Sequence, residues 1–230
     1  MAVVFSPSNL GTFRDCPRRF YGQSVTRELA WKGSKQKSRG TRLHSFLQGA
    51  VRNGWPGEGL ADPDVDASYA KGVVEALRAA GDPVFIEHEM AMTAKGNPCD
   101  WWAGDAFLRA RADVFLLPKD CAKPVLIGDI KTGRMWDNDA FQLRVECLLA
   151  HIIYQRPVVK YQYWYIDQGE TEEGVIDFRN GLSPVQDIYD LLRDAVRAVR
   201  DNDYPATPNK FCRWCGWHKQ KECGVCPMTM

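Results

Sequence analysis

Asp129 and Lys131 stand two residues apart in Val125-Leu126-Ile127-Gly128-Asp129-Ile130-Lys131-Thr132-Gly133, an apolar run that ends on a carboxylate and an ammonium. In an extended strand residues i and i+2 point to the same face, so both charges look out from one side of an otherwise buried segment. Burial alone has no use for that arrangement. Metal-assisted phosphodiester cleavage does, because a carboxylate can hold a divalent cation while a nearby lysine orients the attacking water or stabilises charge developing on the phosphoryl oxygens. An isolated Asp-x-Lys is common at strand ends as a solvated pair, so its weight depends on what stands around it.

Three further residues are candidates for the same chemistry. Asp113, in Leu108-Arg109-Ala110-Arg111-Ala112-Asp113-Val114-Phe115, stands beside Asp129 if the two strands pair. Two carboxylates so placed repel unless a cation neutralises them, and Mg²⁺ is held by one or two carboxylates plus waters and phosphate oxygens. His44 lies beside an apolar helical face, where a lone histidine is more often a boundary group than a ligand. Gln142, on the helix after the Asp-x-Lys strand, can reach back to the site or sit on the helix surface.

The elements that must carry these residues follow from hydrophobic periodicity. Ser6-Pro7-Ser8 offers an N-cap, with Leu10, Phe13, Phe20 and Tyr21 at spacings that share one helical face. Trp31 to Ser38 reads as a loop. Leu43, Phe46, Leu47 and Val51 define an amphipathic helix from Gly40 to Val51 that carries His44, and a Gly/Pro/Asp-rich connection leads to a helix over about 67–80. Strands are expected at 84–93, 107–117 and 124–131, then a helix over 138–154, strands at 158–166 and 174–178, and a long helix from Ser183-Pro184 to about Asp201. These group into an N-terminal helical part (1–82), a sheet and helix carrying the acidic candidates (83–180) and a C-terminal helix with a cysteine-rich tail (181–230) of one domain.

At 230 residues with a formal net charge of +1, the chain can bury one substantial core and carries no domain-wide basic excess. A local basic lining suffices to track a phosphate backbone, and the segment from Arg14 to Arg42 is locally basic. No apolar stretch approaches the roughly 20 residues that span a bilayer, and no signal peptide is evident, so a cytoplasmic location is expected. Eight cysteines in a reducing compartment are then read for metal rather than for disulfides. Cys212-Arg213-Trp214-Cys215 and Cys223-Gly224-Val225-Cys226 form two C-x-x-C turns, the spacing of a small zinc knuckle. Cys99, Cys121 and Cys147 lack ligand spacing and read as small hydrophobes.

The ordered set His44, Asp113, Asp129-x-Lys131 and Gln142 resembles the RecB-type branch of the PD-(D/E)xK nuclease superfamily, along almost the whole chain. The resemblance implies an α/β, restriction-endonuclease-like mixed sheet flanked by helices. His44, Asp113, Asp129 and the Ile130 carbonyl would ligate Mg²⁺ or Mn²⁺, and Lys131 would assist the attacking water. Gln142 would belong to the family's Q-x-x-x-Y helix, from which this chain departs, because the position four residues on is Glu146. Cys16, in Phe13-Arg14-Asp15-Cys16-Pro17-Arg18-Arg19-Phe20, resembles the N-terminal cysteine of RecB-like nucleases with an iron–sulfur cluster. That likeness implies a [4Fe-4S] cluster on Cys16, Cys212, Cys215 and Cys223, with Cys226 as the alternative fourth ligand and zinc as the alternative metal.

The chain also resembles the compact CRISPR-associated and phage-encoded RecB-like exonucleases, which lack a helicase domain. This resemblance implies cleavage of DNA, single strands preferred and 5′ to 3′, in recombination, repair or an adaptation-like process, with a protein partner in such a complex. Trp136, five residues beyond Lys131, and Arg42 are the residues best placed to grip a single strand. Two rivals stay open: a cluster-containing DNA-end binder with an idle site, and a zinc-stabilised endonuclease.

Overall fold

The computed structural model describes residues 3–29, 35–57, 62–132, 140–210, 212, 215 and 216, and divides into two compact units, Gly33–Pro184 and the two chain ends, Met1–Lys32 with Val185–Met230. Every acidic candidate falls in the first unit, and Cys16, Cys212 and Cys215 fall in the second.

The Gly33–Pro184 unit is built on a five-stranded sheet in chain order: β1 (Val84–Thr93), β2 (Ala106–Leu116), β3 (Val125–Lys131), β4 (Val158–Tyr165) and β5 (Glu170–Asp177). All neighbours are antiparallel except β3 and β4, which run parallel and are joined by helix α5 (Ala140–Tyr154). A parallel pair cannot be joined by a tight turn, so the crossover helix is a topological necessity. Helices α3 (Lys35–Asn53) and α4 (Ala67–Ala79) cover one face, where Leu43, Leu47, Val74 and Leu77 pack on Val114, Leu116, Ile130 and Trp164. On the other face Phe115 meets Tyr154 of α5, with ring centroids 4.9 Å apart. The alternation of Val114, Phe115 and Leu116 between two helical layers is the period-2 geometry of a strand buried on both sides.

Two polar devices pin α3. The Arg39 guanidinium forks onto Asp62 and Asp167 with four hydrogen bonds of 2.8–3.0 Å, tying the start of the helix to two loops. At the other end Arg78 of α4 donates to the Val51 carbonyl at 2.8 Å and so satisfies one of the carbonyls orphaned at a helix terminus. Gly128 in β3 is required by packing: a Cβ there would lie 2.0 Å from the Trp164 ring.

In the unit of the chain ends, α1 (Pro7–Asp15) is opened by a capping box in which Ser6 and Asn9 exchange hydrogen bonds. It stops at Cys16, whose extended backbone (φ −165°, ψ 108°) is what a residue before proline favours. α2 (Pro17–Phe20) and a π turn (Tyr21–Val25) follow, so the expected single helical face is broken into three pieces, though Leu10, Phe13 and Phe20 are still buried together. Helix α6 (Gln186–Asp201) follows a 3₁₀ turn (Ser183–Val185) and packs on α1.

Two other expectations are corrected. Residues 35–38, read as loop, belong to α3, since Lys, Gln and Ser are compatible with helix once the downstream face is anchored. β5 starts at Glu170 rather than Gly174, because pairing with β4 satisfies its backbone while its charged side chains face solvent at the sheet edge. Among the described residues no helix is long and apolar enough to cross a membrane.

Candidate active site

The β2–β3 ladder runs from Leu116↔Leu126 to Val114↔Gly128, and beyond it no further pairs join the two strands among the described residues. The next residues on each strand are Asp113 and Asp129. Instead of a ladder bond, the Ile130 N–H donates to Asp113 Oδ2 at 3.0 Å. A carboxylate thus substitutes for the backbone acceptor where the sheet opens, and the gap admits side chains from both helical layers.

From α3, His44 Nδ1 lies 3.3 Å from Asp113 Oδ2. From the continuation of β3, Lys131 Nζ lies 2.9 Å from Asp129 Oδ2 and 5.2 Å from the centre of the Tyr163 ring. From α5, Gln142 Nε2 donates to Asp129 Oδ1 at 2.8 Å and to Glu146 Oε1 at 3.0 Å. The five residues that sequence reasoning placed together are together, and each arrives on the element expected of it. Asp129 is 4% exposed, and its Oδ2, though ion-paired with Lys131, takes no well-directed hydrogen bond.

The electrostatics follow from this crowding. Burial pushes the Asp129 carboxyl up to about 6, with the Asp113 charge adding to the rise and the Lys131 and His44 charges opposing it. For His44, burial works against the charged form, but the hydrogen bond and charge of Asp113, the charge of Asp129 and a bond to the Ile130 backbone together hold its pKa above the ordinary value. Glu146 is pushed well above the usual carboxylate range by complete burial, with the charge of Asp129 next in importance.

Two acidic residues near the centre were not selected from the sequence. Glu87 joins His44 and Asp113 in a group whose ligand atoms all lie within 4.8 Å of one another. It sits in β1 with φ 53°, a left-handed conformation that the alternating pattern of the strand gives no sign of, and it is held by Gln48 of α3 and by Arg111 at 2.7 Å. Glu146 is visible in the sequence only as the break in the Q-x-x-x-Y spacing.

The imidazole of His44 and the carboxylates of Glu87 and Asp113, with Asp129 hydrogen-bonded into the same centre, suit a divalent cation that accepts oxygen and nitrogen. The raised Asp129 pKa and the poorly satisfied Oδ2 describe a carboxylate in need of a positive partner beyond Lys131. The site fits a metal on those grounds.

In the unit of the chain ends, the Thr207 N–H donates to Cys16 Sγ at 3.4 Å and the Asn209 N–H donates to Cys212 Sγ at 3.2 Å. The Asn209 side chain also donates to the Asp15 carbonyl at 2.8 Å, so one residue ties the Cys16 corner to the Cys212 turn. The Cys215 N–H bonds back to the Cys212 carbonyl at 3.0 Å. Cys223, Cys226 and Trp136 lie outside the described residues. Arg42 is exposed on α3, and Cys147 is buried in α5.

A mixed sheet opened between two strands, with carboxylates and a lysine at the opening and a helix on either face, defines a nuclease-type α/β domain. The chain belongs to the PD-(D/E)XK nuclease superfamily, whose family profile matches residues 4–220. Metal-dependent hydrolysis of DNA is the activity that membership brings. Among solved structures, the crystal structure of SSO0001 is similar at 15% identity and a TM-score of 0.48, over 100% of this chain and 89% of that one. No curated protein matches the chain significantly.

Proposed function

We propose that this protein is a Mg²⁺- or Mn²⁺-dependent DNA exonuclease of the RecB-like branch, acting on single strands in preference to duplex and in the 5′ to 3′ direction. The observation that carries the metal-dependent nuclease reading is the convergence of His44, Asp113, Asp129, Lys131 and Gln142 where β2 and β3 part, while the RecB-like branch, exonuclease mode, strand preference and polarity rest on resemblance. His44, Asp113, Asp129 and the Ile130 carbonyl would hold the cation, with Glu87 a further donor within reach of His44 and Asp113.

A bound divalent cation supplies a water of lowered pKa and neutralises charge on the phosphate. The chain's own residues do the rest. Lys131 holds its ammonium beside Asp129, where it can orient the attacking water and meet negative charge as it develops. Gln142 fixes one Asp129 oxygen by hydrogen bond, and Asp113 holds the Ile130 peptide. Arg42, exposed on the helix that carries His44, and Trp136 would grip the strand.

For the chain ends we propose a structural [4Fe-4S] cluster on Cys16, Cys212, Cys215 and Cys223, Cys226 being the alternative to Cys223. The N–H groups aimed at Cys16 and Cys212 support it, since hydrogen bonds to sulfur stabilise thiolate ligands. Zinc is the competing occupant, and the colour and iron content of the purified protein decide between them. Participation in recombination, repair or an adaptation-like process, with a protein partner, rests on resemblance alone.

The test is cleavage of end-labelled single- and double-stranded DNA with 5′ or 3′ ends blocked, in Mg²⁺ or Mn²⁺, comparing wild type with Asp129→Asn, Asp129→Ala and Lys131→Ala. Wild type should shorten single strands from an open 5′ end. The Asp129 variants should lose cleavage, and Lys131→Ala should cut about 10²- to 10³-fold more slowly while still binding DNA. Folded, cluster-loaded wild type that cuts no DNA would falsify the reading.

A further inference from the structure

Glu146 is the one member of the centre whose presence the proposed chemistry leaves unexplained. It follows Gln142 by one helical turn on α5, is 1% exposed, and is surrounded in sequence by the buried Leu143, Val145, Cys147 and Leu149. Its Oε1 accepts from Gln142 Nε2, and its Oε2 has no hydrogen-bond partner among the described residues. The same Nε2 donates to Asp129 Oδ1. A carboxamide NH₂ has two hydrogens, and here both are committed, one to each carboxyl group. Turned over, the amide would set its oxygen against two carboxyl oxygens and leave both without a donor.

We propose that Glu146 is a positioning residue: it locks the Gln142 carboxamide with its NH₂ toward Asp129, and so fixes which Asp129 oxygen is engaged and which is left for a cation. The proposal rests on the nuclease reading above. Glu146 acts in it as a hydrogen-bond acceptor, held fully buried with one oxygen on the Gln142 amide. A tyrosine at this position, the residue of the Q-x-x-x-Y pattern, offers a hydroxyl in place of a carboxyl, so the clamp belongs to this chain's own departure. The half-satisfied carboxyl costs stability that a leucine of similar volume would not. A group that breaks a packing rule one hydrogen bond away from a metal-binding carboxylate is what a functional centre shows.

The test uses the full chain and reads Mn²⁺ affinity by calorimetry, single-strand cleavage and Tm for Glu146→Leu, Glu146→Gln and Gln142→Ala, alone and combined. E146L should melt at or above the wild-type temperature, yet bind Mn²⁺ about 10- to 100-fold more weakly and cut correspondingly more slowly. E146Q, which keeps an acceptor oxygen, should recover what E146L loses. In the Gln142→Ala background E146L should add nothing further, because the clamped group is gone. If E146L melts early, Glu146→Met, of similar reach and without an acceptor, takes its place. Wild-type Mn²⁺ affinity in E146L overturns the proposal, and so does an E146Q as impaired as E146L, since the charge would then be the acting feature. A wild type that neither binds Mn²⁺ nor cuts DNA overturns the nuclease reading itself, whereas an active wild type with either contrary variant result overturns the clamp alone.

Discussion

Asp129 is ionised at a cost, and that cost gives the protein a pH signature. Its pKa in the folded chain is pushed up to about 6 by burial, above the usual carboxylate value, so the folded state holds this proton more tightly than the unfolded state does. In metal-free protein the resulting stability is present at low pH and is lost as pH rises toward and through about 6. His44, also raised, adds stability that is complete below the ordinary histidine pKa and disappears as pH rises through its folded value. A divalent cation needs Asp129 ionised and His44 neutral, so its affinity must rise with pH over the same range. Chelator-treated protein is therefore expected to melt higher at about pH 5 than at about pH 8, with Mn²⁺ raising Tm mainly at the higher pH. Asp129→Asn should flatten the metal-free dependence. A metal-free pH dependence that Asp129→Asn leaves unchanged would show that Asp129 is not the strained group described above. At this scale the sequence was informative where spacing encodes chemistry, as in Asp129-Ile130-Lys131, and silent where a fold brings in a residue that no periodicity marks. Glu87 is the instance: its carboxyl reaches His44 and Asp113 because the backbone turns left-handed in mid-strand.

The element that sets the geometry is β3, and Gly128 is its most constrained position. A methyl group there would lie 2.0 Å and 2.2 Å from ring atoms of Trp164, which is itself almost fully buried against α3 and α4. Gly128→Ala should destabilise the protein by about 1–3 kcal/mol through overpacking, as read by urea denaturation. Because Gly128 directly precedes Asp129, it should also weaken Mn²⁺ binding, and unchanged affinity would show that the Asp129 backbone is held by something other than this contact. The hydrophobic period located β1 through β4 and helices α3, α4 and α5, since each buries a face long enough to register. It misplaced the start of β5 and the continuity of the first helix. In β5 the ladder with β4 outweighs the poor strand character of Glu-Thr-Glu-Glu. In the first helix Pro17 forces Cys16 into an extended conformation. That break gives the Cys16 backbone its own local conformation and exposes its sulfur to the Thr207 N–H.

Over the whole molecule, the chain ends and the acidic centre belong to different compact units. If the tail cysteines and Cys16 share a cluster, Cys16→Ser should abolish its iron and lower Tm, because metal-binding free energy at such a site is folding free energy. Elemental analysis beside a thermal melt checks this, and a variant that keeps both iron and Tm would exclude Cys16 as a ligand. Sequence alone determined the class of the protein and nominated the side chains of its candidate centre, because alternation, capping residues and the order His44, Asp113, Asp129, Lys131, Gln142 are local properties of the chain. Only the tertiary structure decided that β2 and β3 part company immediately after Val114 and Gly128. It also decided that Glu87 and Glu146 enter the centre, and that Gln142 points its amide at Asp129. The physical reason is that a site is made by non-local register and burial. The Asp129-x-Lys131 pair could announce a chemistry from two neighbouring residues, but its charges acquire their altered pKa values and fixed partners only when a sheet and two helical layers exclude water from around them.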